Sequence, residues 1–137
     1  MAVDGDGILG IDIGATSIKF ARLDSQGNLG KTRAYPIDAH SNSAFIQQII
    51  KIIADGEFEN TNSVGIGSPG PLDIEQGIIL SSANMPHLKG VKLVEELTKK
   101  FPQKKIRLDN DANCATLGQK FFGLAKRSET FSVFTLG

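Results

Sequence analysis

Apolar positions at the start of the chain alternate with polar ones and predict a set of short strands. Alternation over Ile8–Ile13 and Ser17–Leu23 predicts two strands, and the small residues Gly14-Ala15-Thr16 between them predict a tight hairpin. After the turn sequence DSQGN, a third strand is expected over Leu29–Tyr35. The chain is therefore predicted to open with an antiparallel three-strand meander.

The rest of the chain alternates predicted helices with predicted strands. The segment SNSAFIQQIIKIIADG has apolar residues at helical spacing, with Asn42 or Ser43 as the cap and Asp55-Gly56 as the stop. This alternation predicts an α/β fold whose mixed sheet carries helices on both faces. The remaining predicted elements are a strand over Ser63–Ser68, a small excursion over Ile74–Leu80, a helix over Val91–Phe101, a strand over Ile106–Leu108, a helix over Asp111–Phe122 and a strand over Thr130–Leu136.

Composition narrows the class of protein. The 137 residues include 15 basic and 15 acidic side chains, a balance that argues against a nucleic-acid or anionic-membrane surface. No apolar run approaches the roughly 20 residues of a membrane span, and the N-terminal MAVDGDG does not resemble a secretory signal. Cys114 is the single cysteine, which excludes an internal disulfide. We expect a cytoplasmic protein with no nucleic-acid or membrane partner.

The first candidate site is the aspartate inside the first strand. A charged side chain in an apolar run needs a partner, and Asp12 at a strand end can bind a hydrated cation. The backbone amides of Gly14, Ala15 and Thr16, the Thr16 hydroxyl and the Lys19 ammonium can meet phosphate oxygens. A hairpin with a solvated aspartate remains an equally acceptable interpretation of this pattern alone.

Three later segments can bind a small polar ligand. Pro69 and Gly70 lie in a loop after a strand, where open α/β sheets place ligands, although composition alone favours a rigid connecting loop. Asn84 lies in a polar loop that leads into a helix, and its amide can both donate and accept hydrogen bonds. In LDNDANCATLG, Asp111 follows a strand and starts a helix, so it is either a helix cap or a general base. Asn110 beside it can bind a substrate hydroxyl. Asp109 competes as the base, but alternation after Ile106 and Leu108 places it on the polar side of the strand and favours a solvated role.

Taken in order, these segments resemble the ROK family of bacterial sugar kinases and sugar-responsive repressors. The matching stretches are GIDIGATSIKF, GIGSPGPLD, SSANMPHLKGVKL, LDNDANCATLG and the terminal FTLG. The resemblance implies an actin-like, ribonuclease-H-like fold, with residues 1–137 as the N-terminal ATPase domain of a two-domain sugar kinase. The resemblance further implies that the C-terminal domain is absent from this chain, and we expect the chain alone to be inactive.

The resemblance also implies a reaction and a role for each candidate residue. A glucokinase-like member transfers a phosphoryl group from ATP to a hexose hydroxyl, most often at C6, as a step of carbohydrate metabolism such as glycolysis. Asp111 is then the catalytic base, and Asp12 lies near Mg²⁺. The other implied contacts are Gly14, Ala15, Thr16 and Lys19 with the nucleotide phosphates, and Pro69, Gly70, Asn84, Asn110 and Asp111 with the sugar.

Some alternatives stay open at this stage. Family members often have Gly where Ala15 stands and Lys where Ser17 stands, so the methyl of Ala15 requires a negative φ. The sugar is undecided among glucose, mannose, fructose, allose and N-acetylmannosamine, and we expect the full-length protein to be a dimer or tetramer. The rival functions are a non-catalytic sugar-binding regulator, another actin-like ATPase and a plain structural domain.

Overall fold

The computed structural model describes residues 7–38, 40–83 and 85–135 and confirms the predicted α/β class. The main sheet has five strands, and a small hairpin forms a second sheet. The strands are β1 (Gly7–Ile13), β2 (Ser17–Leu23), β3 (Arg33–Pro36), β4 (Thr61–Ser68), β5 (Leu72–Asp73), β6 (Ile78–Ile79) and β7 (Lys105–Asn110). The helices are α1 (Asn42–Ile53), α2 (Leu93–Lys100) and α3 (Asp111–Phe121), with 3₁₀ turns at Gly56–Phe58, Pro86–Leu88 and Leu124–Arg127.

The strand order of the main sheet is β3-β2-β1-β4-β7, which combines the predicted meander with two crossovers. Strands β1, β2 and β3 pair antiparallel, whereas β4 pairs parallel to β1, and β7 pairs parallel to β4. The carboxyl ends of β1, β4 and β7 therefore meet at one edge of the sheet. Open α/β sheets bind their ligands at this kind of edge.

Alternation along β1 separates a packed face of the sheet from an open one. Leu9, Ile11 and Ile13 are buried, and they join the apolar residues of α1 and α2 in one core. Ile8, Gly10 and Asp12 alternate with them and face the opposite side, because successive strand residues point to opposite faces. That second face is partly covered by α3, so the helices lie on both faces, as predicted.

Several predicted boundaries need correction. The third strand is β3, which starts at Arg33, because the chain from Leu29 contributes only an isolated bridge to Leu23 before the ladder begins. The predicted strand over Thr130–Leu136 is absent from residues 130–135, which pair with no described strand, and Leu136 lies outside the described residues. Sequence patterns indicate which residues can form a strand, but a strand also requires a neighbour to pair with.

The cap of α1 also differs from the prediction. Ser41, rather than Asn42 or Ser43, is the N-cap, and its hydroxyl accepts a hydrogen bond of 3.0 Å from the Ala44 amide. None of the described helices is both long enough and apolar enough to cross a lipid bilayer.

A buried lysine joins the start of β7 to the chain that leads into β4. The Lys104 ammonium donates to the backbone carbonyls of Phe58 (3.3 Å), Glu59 (3.1 Å) and Thr61 (2.5 Å). Burial lowers the pKa of Lys104, and the nearby Glu59 opposes that effect. One ammonium group thus donates to all three carbonyls, and this contact stabilises the fold.

We expect Lys104→Met to lower the free energy of unfolding by about 1–3 kcal/mol, because buried carbonyls lose their donor. The exposed neighbour Lys105→Met is the matched control and should change stability little. Urea denaturation of both variants measures the difference, and equal losses would contradict this role of Lys104.

Candidate active site

The parallel register places four chemically useful positions in one row across the sheet. Asp12 of β1 is paired with Lys19 on one side and Gly67 on the other, and Gly67 is paired with Asp109 of β7. The row lies on the face of the sheet opposite the α1/α2 core. It lines a cleft of about 740 Å³, and Asp111 lines the same cleft from the start of α3. Two predicted site segments that lie 99 residues apart in sequence, at Asp12 and Asp111, therefore share one cleft.

The surroundings of Asp12 disfavour the charged form of its carboxyl group. Partial burial raises the pKa of its carboxyl group, the nearby Lys19 ammonium lowers it, and the negative charge of Asp111 raises it again. Asp12 also keeps an exposed surface at the cleft, and the described residues form no ion pair with it. Lys19 therefore only partly compensates the charge of Asp12. A bound cation would stabilise the carboxylates of both Asp12 and Asp111.

The turn after β1 keeps two amides available. The Gly14 amide donates to the Ser17 carbonyl at 2.9 Å, so it closes the hairpin and does not face a ligand, contrary to the prediction for this amide. A Cβ at Gly14 would lie 2.9 Å from the same oxygen, which explains why glycine is needed there. The exposed Ala15 and Thr16 make no amide hydrogen bond to a described residue outside the strand ladder.

The methyl group of Ala15 fits the turn. Among the described residues, no residue other than glycine has a positive φ, so Ala15 adopts an ordinary backbone conformation. Ala15 therefore has the negative φ that its methyl group requires in place of the glycine common in the family. The phosphate contacts of this turn themselves stay a prediction.

The start of α3 corrects the predicted capping residue. Asn110, rather than Asp111, is the N-cap: its Oδ1 accepts from the amides of Ala112 (3.0 Å) and Asn113 (3.4 Å). Asp111 is the first helical residue, and its Oδ1 accepts from the Ala112 amide at 2.8 Å. The second carboxylate oxygen of Asp111 makes no hydrogen bond to a described residue. The amides at the start of the helix therefore use only one of the two oxygens of Asp111.

The rival base Asp109 has a different environment. Its Oδ1 accepts from the Asn110 amide at 2.7 Å and from Asn113 Nδ2 at 2.9 Å. These two bonds tie Asp109 to the N-cap Asn110 and to Asn113 in the first turn of α3. Strand alternation predicts a solvated role for Asp109, but the residue is half-buried and hydrogen-bonded.

The predicted sugar loop lies next to Asn110, the residue that precedes Asp111. A Cβ at Gly70 would lie 3.6 Å from Asn110 Nδ2, so Gly70 and Asn110 are neighbours. The loop is anchored at Pro71, whose carbonyl accepts from the Leu80 amide at 3.1 Å. Pro69 accepts at its carbonyl from the Ser68 hydroxyl at 3.1 Å. The predicted contact Asn84 lies outside the described residues.

Two residues of the cleft were not anticipated as site residues. Gly67 lies under the first turn of α3, where an added Cβ would be 3.6 Å from the Asp111 Cα and 3.4 Å from the Cys114 Sγ. Cys114 is one helical turn beyond Asp111, so its i+3 spacing was the signal that could have placed it here. Burial raises the pKa of the Cys114 thiol, as do the charges of Asp109, Asp12 and Asp111.

A protein-only metal cage is not part of this cleft. Among the described residues, no group of three or more His, Cys, Asp or Glu side chains is arranged to bind a metal. Mg²⁺ does not require such a cage, since it is commonly bound by one or two carboxylates together with water and phosphate oxygens. The two neighbouring carboxylates of Asp12 and Asp111 fit that mode of binding.

Comparison with known proteins shows the family of this chain. Residues 8–137 match the sequence profile of the ROK family over almost the whole chain. The chain belongs to the ROK family. This chain is 35% identical over 134 residues to a glucokinase of Thermotoga maritima, and 33% identical over 130 residues to an N-acetyl-D-glucosamine kinase of Aliivibrio fischeri. Those alignments cover 95% and 93% of this chain, but only 41% and 42% of the two relatives.

The fold of this ROK chain is also shared with solved structures. A ROK hexokinase from Thermus thermophilus superposes with a TM-score of 0.78 at 25% sequence identity, covering 88% of this chain and 40% of the hexokinase. The ROK chain thus has the actin-like fold that its motifs implied. It spans about two-fifths of the length of the relatives it matches.

The raised pKa of Asp12 predicts that the stability of this ROK chain depends on pH. Because the folded state raises the pKa of Asp12, it binds the proton more tightly than the unfolded chain. The contribution of Asp12 to stability therefore falls as the pH rises from about 3.8 through the higher pKa of the folded state. At pH 7 we expect Asp12→Asn to raise the unfolding free energy by a few tenths to about 1 kcal/mol, discounted because the carboxylate is partly solvated.

Urea denaturation at pH 7 and pH 3 measures this effect. The gain from Asp12→Asn should shrink at pH 3, where the carboxyl group is protonated in both states. Glu75→Gln, an exposed site in the β5–β6 turn, is the control. A gain that grows as the pH falls would contradict the account.

Proposed function

We propose that the parent protein of this chain is a sugar kinase that transfers a phosphoryl group from ATP to a hexose hydroxyl, with Asp111 as the general base. The observation that carries the proposal is the meeting of Asp12 and Asp111 at one end of the cleft, close enough for the charge of one to raise the pKa of the other. The names of the two relatives, a glucokinase and an N-acetyl-D-glucosamine kinase, support sugar phosphorylation.

Asp111 is suited to accept a proton from a sugar hydroxyl. One carboxylate oxygen is fixed by the Ala112 amide at 2.8 Å, which orients the group, and the other oxygen remains available. The residue is exposed at the cleft rather than buried in the core. A general base must reach the proton it removes, and a fixed carboxylate with one open oxygen meets that requirement.

Asn110 and Gly70 are proposed to bind the sugar beside this base. Because Asn110 Oδ1 is used by the amides of Ala112 and Asn113, its Nδ2 group is the part available to a ligand. That group can donate to a sugar hydroxyl, while the absence of a side chain at Gly70 lets the sugar approach the loop backbone. Pro69 stiffens the same loop.

The nucleotide phosphates are proposed to lie at the turn after β1. The Ala15 and Thr16 amides, the Thr16 hydroxyl and the Lys19 ammonium are the donors that this turn offers. Asp12 would bind Mg²⁺ through water or directly, and the ion would supply positive charge against the phosphate oxygens. Positioning of the two substrates is the main contribution of such a site to the rate.

Glucose is our first choice of substrate, and N-acetylglucosamine is the second because one relative carries that name. The part of the site outside this chain contributes further contacts, so the choice belongs to the whole parent protein. A non-catalytic sugar-binding regulator of the same family is the competing function.

The test is an ADP-release assay on the full-length parent protein with ATP, Mg²⁺ and a panel of hexoses and N-acetylhexosamines. We expect turnover on one or two sugars, and a loss of about 10²–10⁴-fold in kcat for Asp111→Ala with sugar affinity retained. Asp109→Ala is the matched control, since it removes the neighbouring carboxylate, and it should cost clearly less.

Two results would contradict the proposal in different ways. Turnover that survives in Asp111→Ala but not in Asp109→Ala would transfer the role of base to Asp109. Sugar binding detected by calorimetry without turnover on any sugar would favour the regulator.

A further inference from the structure

A second cavity opens beside the candidate sugar loop. It has a volume of about 570 Å³ and lies between the Gly70 loop and the segment that follows β6. We call it the side pocket; its lining includes Gly70, Pro71, Leu80, Ser82, Ala83 and Pro86. Gly70 links two places, because it lines the side pocket and is also the neighbour of Asn110.

Backbone hydrogen bonds hold the walls of the side pocket together. The Pro71 carbonyl accepts from the Leu80 amide at 3.1 Å and from the Ser81 amide at 3.4 Å, which joins the two loops. The Leu80 carbonyl accepts from the Gly90 amide at 3.3 Å and closes the base of the second loop. The side pocket is therefore largely formed before a ligand arrives, as small-molecule sites usually are.

Ser82 brings an unpaired hydroxyl group to this pocket. The residue is 3% exposed, and its Oγ is buried without a hydrogen-bond partner among the described residues. Buried hydroxyl groups in folded proteins nearly always have a partner, and an unpaired one is destabilising. Rotation about the Cα–Cβ bond moves Oγ between staggered positions. A ligand group inside the side pocket can therefore supply the missing partner once Oγ turns towards it.

Apolar side chains form most of the remaining wall of the side pocket. Leu80 is 44% exposed, and Pro71 and Pro86 are exposed as well. Lys89, the one cationic side chain of the described lining, is exposed, so water screens its charge and an anion gains little there. A fitting group must present carbon to the walls and a hydrogen-bond acceptor to Ser82. An acetamido group does both, because its methyl is apolar and its carbonyl oxygen accepts.

The position of the side pocket relative to Asp111 indicates which sugar carbon carries that group. Asp111, Asn110 and Gly70 lead in this order from the proposed base to the pocket. In a hexopyranose ring, C2 lies opposite C5, the atom that carries the C6 hydroxyl group. With that hydroxyl at Asp111 and the ring beside Asn110 and Gly70, a substituent on C2 extends away from the base and towards the side pocket.

We infer that the side pocket binds the 2-acetamido group of an N-acetylhexosamine, with the Ser82 hydroxyl donating to the acetamido carbonyl. Ser82 is then a residue that determines specificity, because a sugar with a plain hydroxyl group on C2 leaves the pocket to water. The inference rests on the proposed function for the position of the sugar ring, and it extends that function: the parent protein accepts an N-acetylhexosamine in addition to glucose.

The first experiment compares two sugars in the full-length parent protein. For each variant it measures kcat/KM with N-acetylglucosamine and with glucose, which lacks the acetamido group but uses the same base and nucleotide. We expect Ser82→Ala to lower the ratio of the two values by about 3–10-fold, the size expected for one hydrogen bond between neutral groups. Equal losses on the two sugars would overturn the role of Ser82.

The second experiment fills the side pocket. Ala83 is exposed and lines the pocket, so Ala83→Leu adds carbon there without disturbing the core. We expect this variant to lower the same ratio by about tenfold or more, because the added side chain occupies the space of the acetamido group. Ala54→Leu, at an exposed alanine that follows α1, is the matched control and should leave the ratio unchanged. An unchanged ratio in Ala83→Leu would overturn the inference.

Calorimetry distinguishes a failure of this inference from a failure of the proposed function. If the parent binds both sugars without turnover, the proposed function fails, and the ratio of the two Kd values in the same variants still tests the side pocket. Turnover of glucose without binding of N-acetylglucosamine would overturn the inference and leave the proposed function standing. Absence of binding for both sugars would overturn both.

The stability of the 137-residue chain gives a readout that needs no sugar. Because Ser82→Ala removes an unpaired buried hydroxyl group, we expect its Tm to stay unchanged or to rise by about 2–5 °C. A fall in Tm of more than about 2 °C would show that the Ser82 hydroxyl already has a partner within the fold, which would overturn its assignment to a ligand.

Discussion

The parallel register of β1, β4 and β7 is the constraint on which the rest of the structure depends. It brings together the carboxyl ends of three strands, and with them Asp12, Gly67 and Asp109, although these residues are far apart in sequence. The register is fixed from the other face, where Leu9 pairs with Val64 and Val64 with Ile106 in the buried core. A slip of one residue would expose that core, so hydrophobic packing on one face sets the geometry of the charged row on the other.

The two faces of the sheet differ in how much of their apolar surface is buried. The α1/α2 face is a closed apolar core, whereas the α3 face combines charged groups with uncovered apolar residues. This difference explains why Asp12 lacks an ion-pair partner among the described residues and why α3 has no buried side chain. Under the proposed function, the part of the parent protein outside this chain would supply the other side of the site.

The sequence predicted the elements well where local patterns decide them. The strands β1 and β2, the helix α1 and the segment from β7 to α3 followed from periodicity and glycine turns. The loss of the strand expected at Thr130–Leu136 and the late start of β3 depend on pairing, which a local pattern does not contain. At the site, the roles of Asp12, Asp111, Gly70 and Asn110 stay predictions, although the structure places Asp12 and Asp111 in one cleft and Gly70 beside Asn110. The capping by Asn110, the use of the Gly14 amide and the place of Gly67 depend on backbone geometry that the residue types leave open.

The most direct test of the central claim is a crystal structure of the full-length parent protein with its sugar and a non-hydrolysable ATP analogue. The account predicts a sugar hydroxyl within hydrogen-bond distance of the free carboxylate oxygen of Asp111, and the γ-phosphate near the Ala15 and Thr16 amides. The sugar ring should lie between Asn110 and the Gly70 loop. A hydroxyl directed at Asp109, or a sugar bound away from the carboxyl ends of β1, β4 and β7, would contradict it.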